Sequence, residues 1–533
     1  MAGPGIVGIY RVVADWNADG DFDDTYDDLT GDTLSMSWSR GRDYASQLSG
    51  NSIAGRATFT LLNEDGKYSP SNTSSVLSPN LVPGRAIQIQ AGEGSFPYEF
   101  PIYFEETPRW TGRIERITPS PSGMNVKTCE IVAFGSLGYL NQFALQLETK
   151  TDLPTSTTVA SGDDSAIGEI LDGVGWAAAE RNLDLGISTI PRFWVSGLSV
   201  IEALRKVEEV EAGFVSEGKE GKIVFQNRYH RLTEATSTTS QVTFSDATDA
   251  TNPYIELVQE DPLGTIANHI EAQVRTYTVA SIATLWTHPE TGSDSPTLAP
   301  GESKIFEAFY PNPSSALNAV EVNAWTTPAA TTDILANTSS SGSSGDSGDK
   351  TSDITIAATG TGERMTITLS NSASGVDVFL IKIAARGTAV TTKDPVFVRA
   401  IDTDSKTKYG ERKYVAESRF FPNTTIAQAW CDYHLVIYES PVDILTMRFS
   451  AAINENIEPA LNLDLSNRIT VTGTNASQLG FSSDFFIEAV SHNVTEGGTN
   501  HIVEWQLSPA SGGYSQFWVL GTSVLGTNTV PAF

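Results

Sequence analysis

Short runs in which every second residue is apolar, broken at close intervals by Gly, Pro, Asn or Asp, constrain this chain more than any other feature. Gly55-Arg-Ala-Thr-Phe-Thr-Leu-Leu62, Arg85-Ala-Ile-Gln-Ile-Gln90, Trp110-Thr-Gly-Arg-Ile-Glu-Arg-Ile117 and Val126-Lys-Thr-Cys-Glu-Ile-Val-Ala133 all follow it. Period-2 alternation puts one face of each run in a core and the other outside, so it predicts antiparallel strands in a barrel or sandwich. Hydrophobic residues make up 40% of the 533, enough to build such cores. Single cores rarely grow past ~250–300 residues, so three or four domains are expected. Two cysteines cannot form a disulfide scaffold, and stability must come from burial.

The pattern changes after residue 150. Ile167, Ile170, Leu171 and Val174 recur at helical spacing behind Ser165. Ser199 stands before Val200–Val210 with Glu202 three residues on, the signature of a capping box. A Gly turn and Gly221-Lys-Ile-Val-Phe-Gln-Asn227 complete an α+β unit. Alternation returns beyond it, and a last helix is predicted at Thr425–Ile437 before strands at 467–472, 484–490 and 501–507. The expected fold is therefore mainly β with an α+β insert. Its expected divisions are a barrel at 1–150, the insert at 151–235, a second barrel at 236–420 and an α+β unit at 421–533. Between Ser339 and Gly348 every residue is Ser or Gly except Asp346, so 337–350 is predicted to be an exposed flexible loop within the second barrel.

One segment carries a metal-like spacing. In Asp15-Trp-Asn-Ala-Asp-Gly-Asp-Phe-Asp-Asp24, oxygen-bearing Asp15, Asn17, Asp19, Asp21 and Asp23 alternate around Gly20, as in the first nine positions of a calcium loop. Tyr26 stands where the twelfth-position Glu belongs, so the same residues also read as an acidic hairpin turn without an ion. No catalytic constellation emerges. The six histidines sit in no metalloprotease motif, no nucleophile elbow is convincing, and Cys129 and Cys431 read as packed thiols. Ten tryptophans could stack on sugars, although aromatic residues in strands more often fill cores. A net charge of −30 argues against a surface that grips phosphate, without excluding a conduit that DNA slides through. No apolar run is long enough for a transmembrane helix, and the start lacks the basic region of a signal peptide. Synthesis in the cytoplasm is expected.

The order of segments adds a resemblance. Val13-Ala-Asp-Trp-Asn-Ala-Asp-Gly20, Arg40-Gly-Arg42, Ala54–Asn63, Asp65-Gly-Lys-Tyr-Ser-Pro70, Val82–Ile89 and Trp110–Ile114 together resemble the N-terminal barrel of tail-tip proteins of long-tailed bacteriophages. Ala166–Val174, Gly197–Leu204 and Gly221–Phe225 are similar to the helical insert of the baseplate hub family. So are Lys408–Arg412, the 425–437 helix, Leu463–Val471 and Phe486–His492, with Asp464-Leu-Ser-Asn467 where the family often has Leu-Gly-Asp. The resemblance implies a non-enzymatic virion protein at the tail tip, a homotrimeric ring whose barrels continue the tail tube. Implied partners are a distal tail protein, a tape-measure protein and a tail fibre or receptor-binding protein, with genomic DNA in transit without specific binding. The lumen is expected to carry the polar residues of the barrel strands, Gln88, Gln90, Thr366 and Thr368 among them. Alternative readings are a hexameric distal tail ring, a receptor-binding tip protein and, from another class, a secreted carbohydrate-active enzyme or adhesin.

Overall fold

The computed structural model describes residues 6–43, 52–95, 107–120, 126–158, 164–260, 263–290, 294–310, 319–372, 375–416, 418–452, 454–474, 479–510, 517–518 and 530–531. The ends of the expected 1–150 and 421–533 units, 1–5 and most of 511–533, lie outside them, as do residues 159–163 of the expected insert. The fold is mainly β, with several domains and an α+β insert, as the alternation predicts.

Six antiparallel strands form the N-terminal sheet. In spatial order they are Ile6–Asp15, Ala86–Ser95, Pro108–Ser120, Thr128–Phe134, Ser52–Leu62 and Thr33–Arg42. The alternation of Ser52–Leu62 works as read: Ala57, Phe59 and Leu61 are buried, while Thr58 and Thr60 are half-exposed on the other face. The sheet curls as a half-barrel around Trp16, Trp38, Phe59, Tyr68, Ile87, Trp110 and Ile131. Thr33–Arg42 gives its second edge to a distant strand, Phe481–Thr495, instead of returning to Ile6–Asp15.

Phe481–Thr495 is the corner of the molecule. Its first part pairs with Arg468–Gly473 and its last part with Thr33–Arg42, and its other edge pairs with Asn500–Pro509 with a register shift between Ile487 and Ala489. A bulge of this kind bends a strand, so that one sheet can turn from the N-terminal core to a second one. Asn500–Pro509, Ile444–Ser450 and Glu256–Glu260 extend the other edge, and Thr243–Ser245 lies beyond Arg468–Gly473. Phe244, Phe449 and Trp505 fill this second core with ring centroids 4.8–5.6 Å apart.

The expected 236–420 barrel is divided differently. Residues 243–260 join 444–509 in the sheet just described. His269–Val274 pairs antiparallel with Val396–Ile401, and the whole of 277–392 is inserted between them as two packed sheets. One sheet is centred on Val378–Thr392 and the other on Arg364–Asn371, over a core of Leu298, Ile334, Ile367, Leu369, Leu380 and Ile383. On Arg364–Asn371, Thr366 and Thr368 are half-exposed between buried neighbours. Local periodicity cannot reveal that strands 120 or more residues apart in sequence share a sheet, because each alternates alike wherever it pairs. The helix expected at Thr425–Ile437 forms as Thr424–Tyr438 and shares the insert's core with Val207, Phe421 and Ala272, but it is not the last: Asn454–Asn462 is a further helix beyond it. The insert itself forms as read, with Ser199 and Glu202 making both hydrogen bonds of a capping box on Val200–Glu211.

The 337–350 segment corrects the expectation of a loop without turn chemistry. Asn337 is almost fully buried, and its amide donates to Asp346 Oδ1 (2.6 Å) and to the Ser343 carbonyl (3.3 Å). Asp346 in turn accepts from the Ser343 and Gly348 N–H groups, and Asp349 accepts from Gly345 N–H. A Cβ at Gly342 or Gly348 would lie 2.1 or 2.4 Å from Asn337 atoms, so the glycines are there to let backbone close on the amide. Asn337→Ala is expected to lower stability, through loss of the hydrogen bonds that anchor the loop. It should also raise amide exchange across 339–348, measured by hydrogen–deuterium exchange. Unchanged exchange would mean that the amide does not organise the loop.

Candidate functional site

Three parts of the chain meet on Glu488, the residue at the bend of the corner strand. Its carboxylate is fully buried. Arg42, the last residue of its N-terminal strand, donates from Nε (2.8 Å) and Nη2 (2.5 Å) to Oε2. Arg231, from the turn of helix at His230–Thr233 that follows the insert, donates from Nη1 to Oε1 (2.8 Å) and from Nη2 to Oε2 (2.9 Å). The Ser508 hydroxyl donates to Oε1 (2.5 Å). Phe214 of the insert lies against both guanidiniums, with Arg42 Cζ 3.6 Å and Arg231 Cζ 4.9 Å from its ring centroid. Burial alone would raise the Glu488 pKa; the two guanidiniums reverse that and hold it down at about 2.

A second set of contacts runs parallel to this one. Arg40 Nη1 lies 2.6 Å from Asp464 Oδ1 and donates to the Glu217 carbonyl. The Glu217 carboxylate accepts from Leu137 N–H (3.0 Å) and from Gly55 N–H. Arg109 and Lys219 donate to the carbonyls that end helix Asn454–Asn462, Leu461 O at 2.6 and 2.7 Å respectively. Cations at a helix C-terminus satisfy orphan carbonyls and complement the dipole. Gln88 and Gln90 lie in this packed region: Gln90 Nε2 donates to Gln88 Oε1, and Gln88 Nε2 to Thr111 Oγ1. Both are buried, which corrects their expected place on an open lumen; the Lys219 hairpin covers that face of the sheet, with Thr111 donating to Lys219 O. Beside it, Arg40, Glu217, Lys219, His230, Glu234 and Asp464 are among the groups lining a polar cleft of about 690 Å³.

The seam between Thr33–Arg42 and the corner strand is closed by aromatic and imidazole rings. Trp38 stacks on His492 at 4.5 Å with planes 5° apart. The Tyr10 hydroxyl is 2.6 Å from His501 Nδ1, and His501 Nε2 is 2.9 Å from His492 Nδ1. With Tyr10 as donor, His501 carries its proton on Nε2 and passes a hydrogen bond to His492. Burial pushes the His501 pKa down to about 3, and burial together with nearby cations lowers His492 as well, so both rings stay neutral.

The candidate calcium residues fall in a tight turn beyond Ile6–Asp15. Asp15 accepts from the N–H groups of Ala18 (2.5 Å) and Gly20 (3.1 Å). Asn17 Nδ2 donates to Asp19 (2.8 Å) and Asp24 (2.5 Å), while Asp19 and Asp21 accept from the N–H groups two residues on. The turn links Asn17, Asp19 and Asp24 by side-chain hydrogen bonds, while Asp15 bonds only to backbone N–H groups. Among the described residues no group of three or more His, Cys, Asp or Glu side chains is arranged to hold a metal ion. Trp16, Trp38, Trp110, Trp194, Trp430 and Trp505 are buried and present no face for a sugar. Cys129 and Cys431 are buried free thiols, their pKa values pushed up by burial to about 11 and about 12. Among the described residues no helix is long and apolar enough to cross a membrane.

Sequence reading passed over Glu488, Arg231, His492, His501 and Asn337. A signal for the first existed: Glu488 is the one charged residue in the otherwise apolar run Phe485-Phe-Ile-Glu-Ala-Val490. A lone acid in such a run is affordable only with a cationic partner.

No family model and no curated protein matches this chain. Among solved structures it is similar to the 43 kDa tail protein of prophage MuSo2 from Shewanella oneidensis, at 9% identity and a TM-score of 0.46, over 94% of this chain and 98% of that one. It is similar as well to the tail protein from Neisseria meningitidis MC58, at 9% identity and a TM-score of 0.48 over 95% and 97%. Prophage tail protein gp18 from Listeria monocytogenes EGD-e is another, at 8% identity and 0.39 over 94% of each.

Proposed function

We propose that this chain is a structural subunit of a bacteriophage tail tip, a baseplate hub that assembles as a three-copy ring and continues the tail tube. The observation that carries the reading is where the family-like segments meet. Arg40-Gly-Arg42 lies more than 400 residues from Asp464–Asn467 and Phe486–His492 in sequence, yet the three converge on one junction: Arg40 on Asp464, Arg42 on Glu488, Gly41 opposite Ala489. Strands from both ends of the chain thereby form one continuous sheet, which suits a protein that transmits force instead of turning over a substrate. On this reading a distal tail protein lies above the ring, a tape-measure terminus inside it and a fibre or receptor-binding protein outside. DNA passes without adhering, since copies carrying −30 each repel phosphate. The test is a particle reconstruction: this density at the distal end of the tube with three copies supports the reading, and six copies or a position away from the tube axis overturns it. Micromolar duplex-DNA affinity with a steep salt slope would overturn the non-adhering conduit.

The same proposal includes calcium at Asp15, Asn17, Asp19, Asp21 and Asp23. Calcium should then raise the thermal stability of the protein, and Asp19→Ala should remove most of that rise while leaving stability in chelator nearly unchanged. Equal stability of the unaltered protein with calcium and with chelator would sink it.

A further inference from the structure

The inserted module leaves one strand edge open in an unusual way. Tyr277–His288 pairs with Val378–Thr392 on one side, and among the described residues no strand pairs with its other side. Seven consecutive residues, Thr278–Thr284, are exposed on both faces, with Ile282 at 61% and Val279 at 42%. Open edges invite pairing, and folded proteins blunt them with Lys, Pro, inward charges or short length. This strand is 12 residues long and contains no Asp, Glu, Lys, Arg or Pro. It does carry two bulges opposite Val378–Thr392, between Val279 and Ile282 and between Thr284 and Trp286, the blunting devices present.

The sequence of the exposed stretch is close to its own mirror image. Thr278-Val-Ala-Ser-Ile-Ala-Thr284 reads outward from Ser281 as Ala and Ile, then Val and Ala, then Thr and Thr. Set antiparallel to a copy of itself about Ser281, Ala280 faces Ile282, Val279 faces Ala283 and Thr278 faces Thr284. Each pair is small against large or hydroxyl against hydroxyl, the combinations that pack across neighbouring strands. On a chain of net charge −30, a strand without charged residues lets two copies meet without like-charge repulsion across the contact.

We infer that Thr278–Thr284 is a two-fold self-association site, at which a second copy of this chain adds its own Thr278–Thr284 as an antiparallel strand. The inference stands on the strand and not on the ring proposed above, and the two separate by copy number: a two-fold contact gives even states, a three-fold ring alone gives three.

Ser281→Cys tests it directly, because the dyad places the two position-281 side chains opposite each other at a spacing a disulfide can bridge. The native thiols at Cys129 and Cys431 are buried and should not compete. Mild oxidation is expected to give a covalent dimer of Ser281→Cys but none of Val126→Cys, whose site is 57% exposed on the N-terminal domain. Light scattering should show an even-numbered species that Ile282→Lys halves in mass at unchanged melting temperature. Absence of the covalent dimer, or an assembly whose mass Ile282→Lys leaves unchanged, overturns the inference. In that second case a three-copy state would leave the ring intact.

Discussion

Glu488→Ala is expected to lower the stability of the joined sheets by about 3–5 kcal/mol, because it leaves two buried guanidiniums without their counter-charge. Arg42 and Arg231 are each only 3% exposed and cannot turn to water without opening the junction. Removing all three charges is a different matter. Glu488→Leu combined with Arg42→Met and Arg231→Met should recover most of the loss, since a well-packed apolar set often equals a buried ion network in stability. Chemical denaturation of the three proteins checks this; a Glu488→Ala protein as stable as the parent would show that the junction does not hold the modules together.

The pH dependence follows from the same groups. A carboxyl held at about 2 in the folded protein, against an ordinary value of 4.5, stabilises the fold above pH 4.5, and that stabilisation is lost as pH falls through 2. His501, held neutral with a pKa of about 3 against 6.5, contributes stability above pH 6.5 that fades as pH falls toward 3. Acid should therefore weaken the seam in two overlapping limbs. Glu488→Gln should remove the lower limb and leave the upper one, measured as melting temperature against pH.

Gly41→Val is expected to split the seam itself. Gly41 has φ +139, and a Cβ there would lie 2.4 Å from Ala489 Cα and 2.6 Å from Glu488 O, both backbone atoms that cannot step aside. Backbone strain of about 1–3 kcal/mol and overpacking of about 1–3 kcal/mol together give roughly 2–6 kcal/mol. Gly84→Ala is the control, with φ +90 but nothing within 4 Å of the added carbon. Amides of Ser35–Gly41 and Ala489–Thr495, which pair across the seam, should lose exchange protection together in Gly41→Val. Retained protection would show that the strands can part locally without loss.

Much of the local structure was legible because its cause is local. Alternation placed Phe59 and Leu61 inside the sheet, and Ser199 with Glu202 started the insert's second helix where the capping pattern said it would. The run 339–347 is mostly exposed, as expected, but its turn chemistry was missed for an instructive reason. Ser and Gly look unstructured by composition, but a buried amide at Asn337, just before the run, supplies the anchor that the run itself lacks. Gln88 and Gln90 alternated correctly with Ile87 and Ile89; what covers their face is a hairpin from another part of the chain.

The sequence by itself determined many of the strands, the helices at Ala166–Asp172, Val200–Glu211 and Thr424–Tyr438, and which face of each is apolar, because those properties depend on residues within a few positions of one another. It could not determine that Phe481–Thr495 would take the free edge of Thr33–Arg42, or that 277–392 would be set apart between two paired strands. Backbone hydrogen bonds are the same for every strand, so pairing partners are chosen by long-range packing and by single buried contacts. Here Glu488 between two arginines and Gly41 against Ala489 make that choice, and neither exists until the chain has folded.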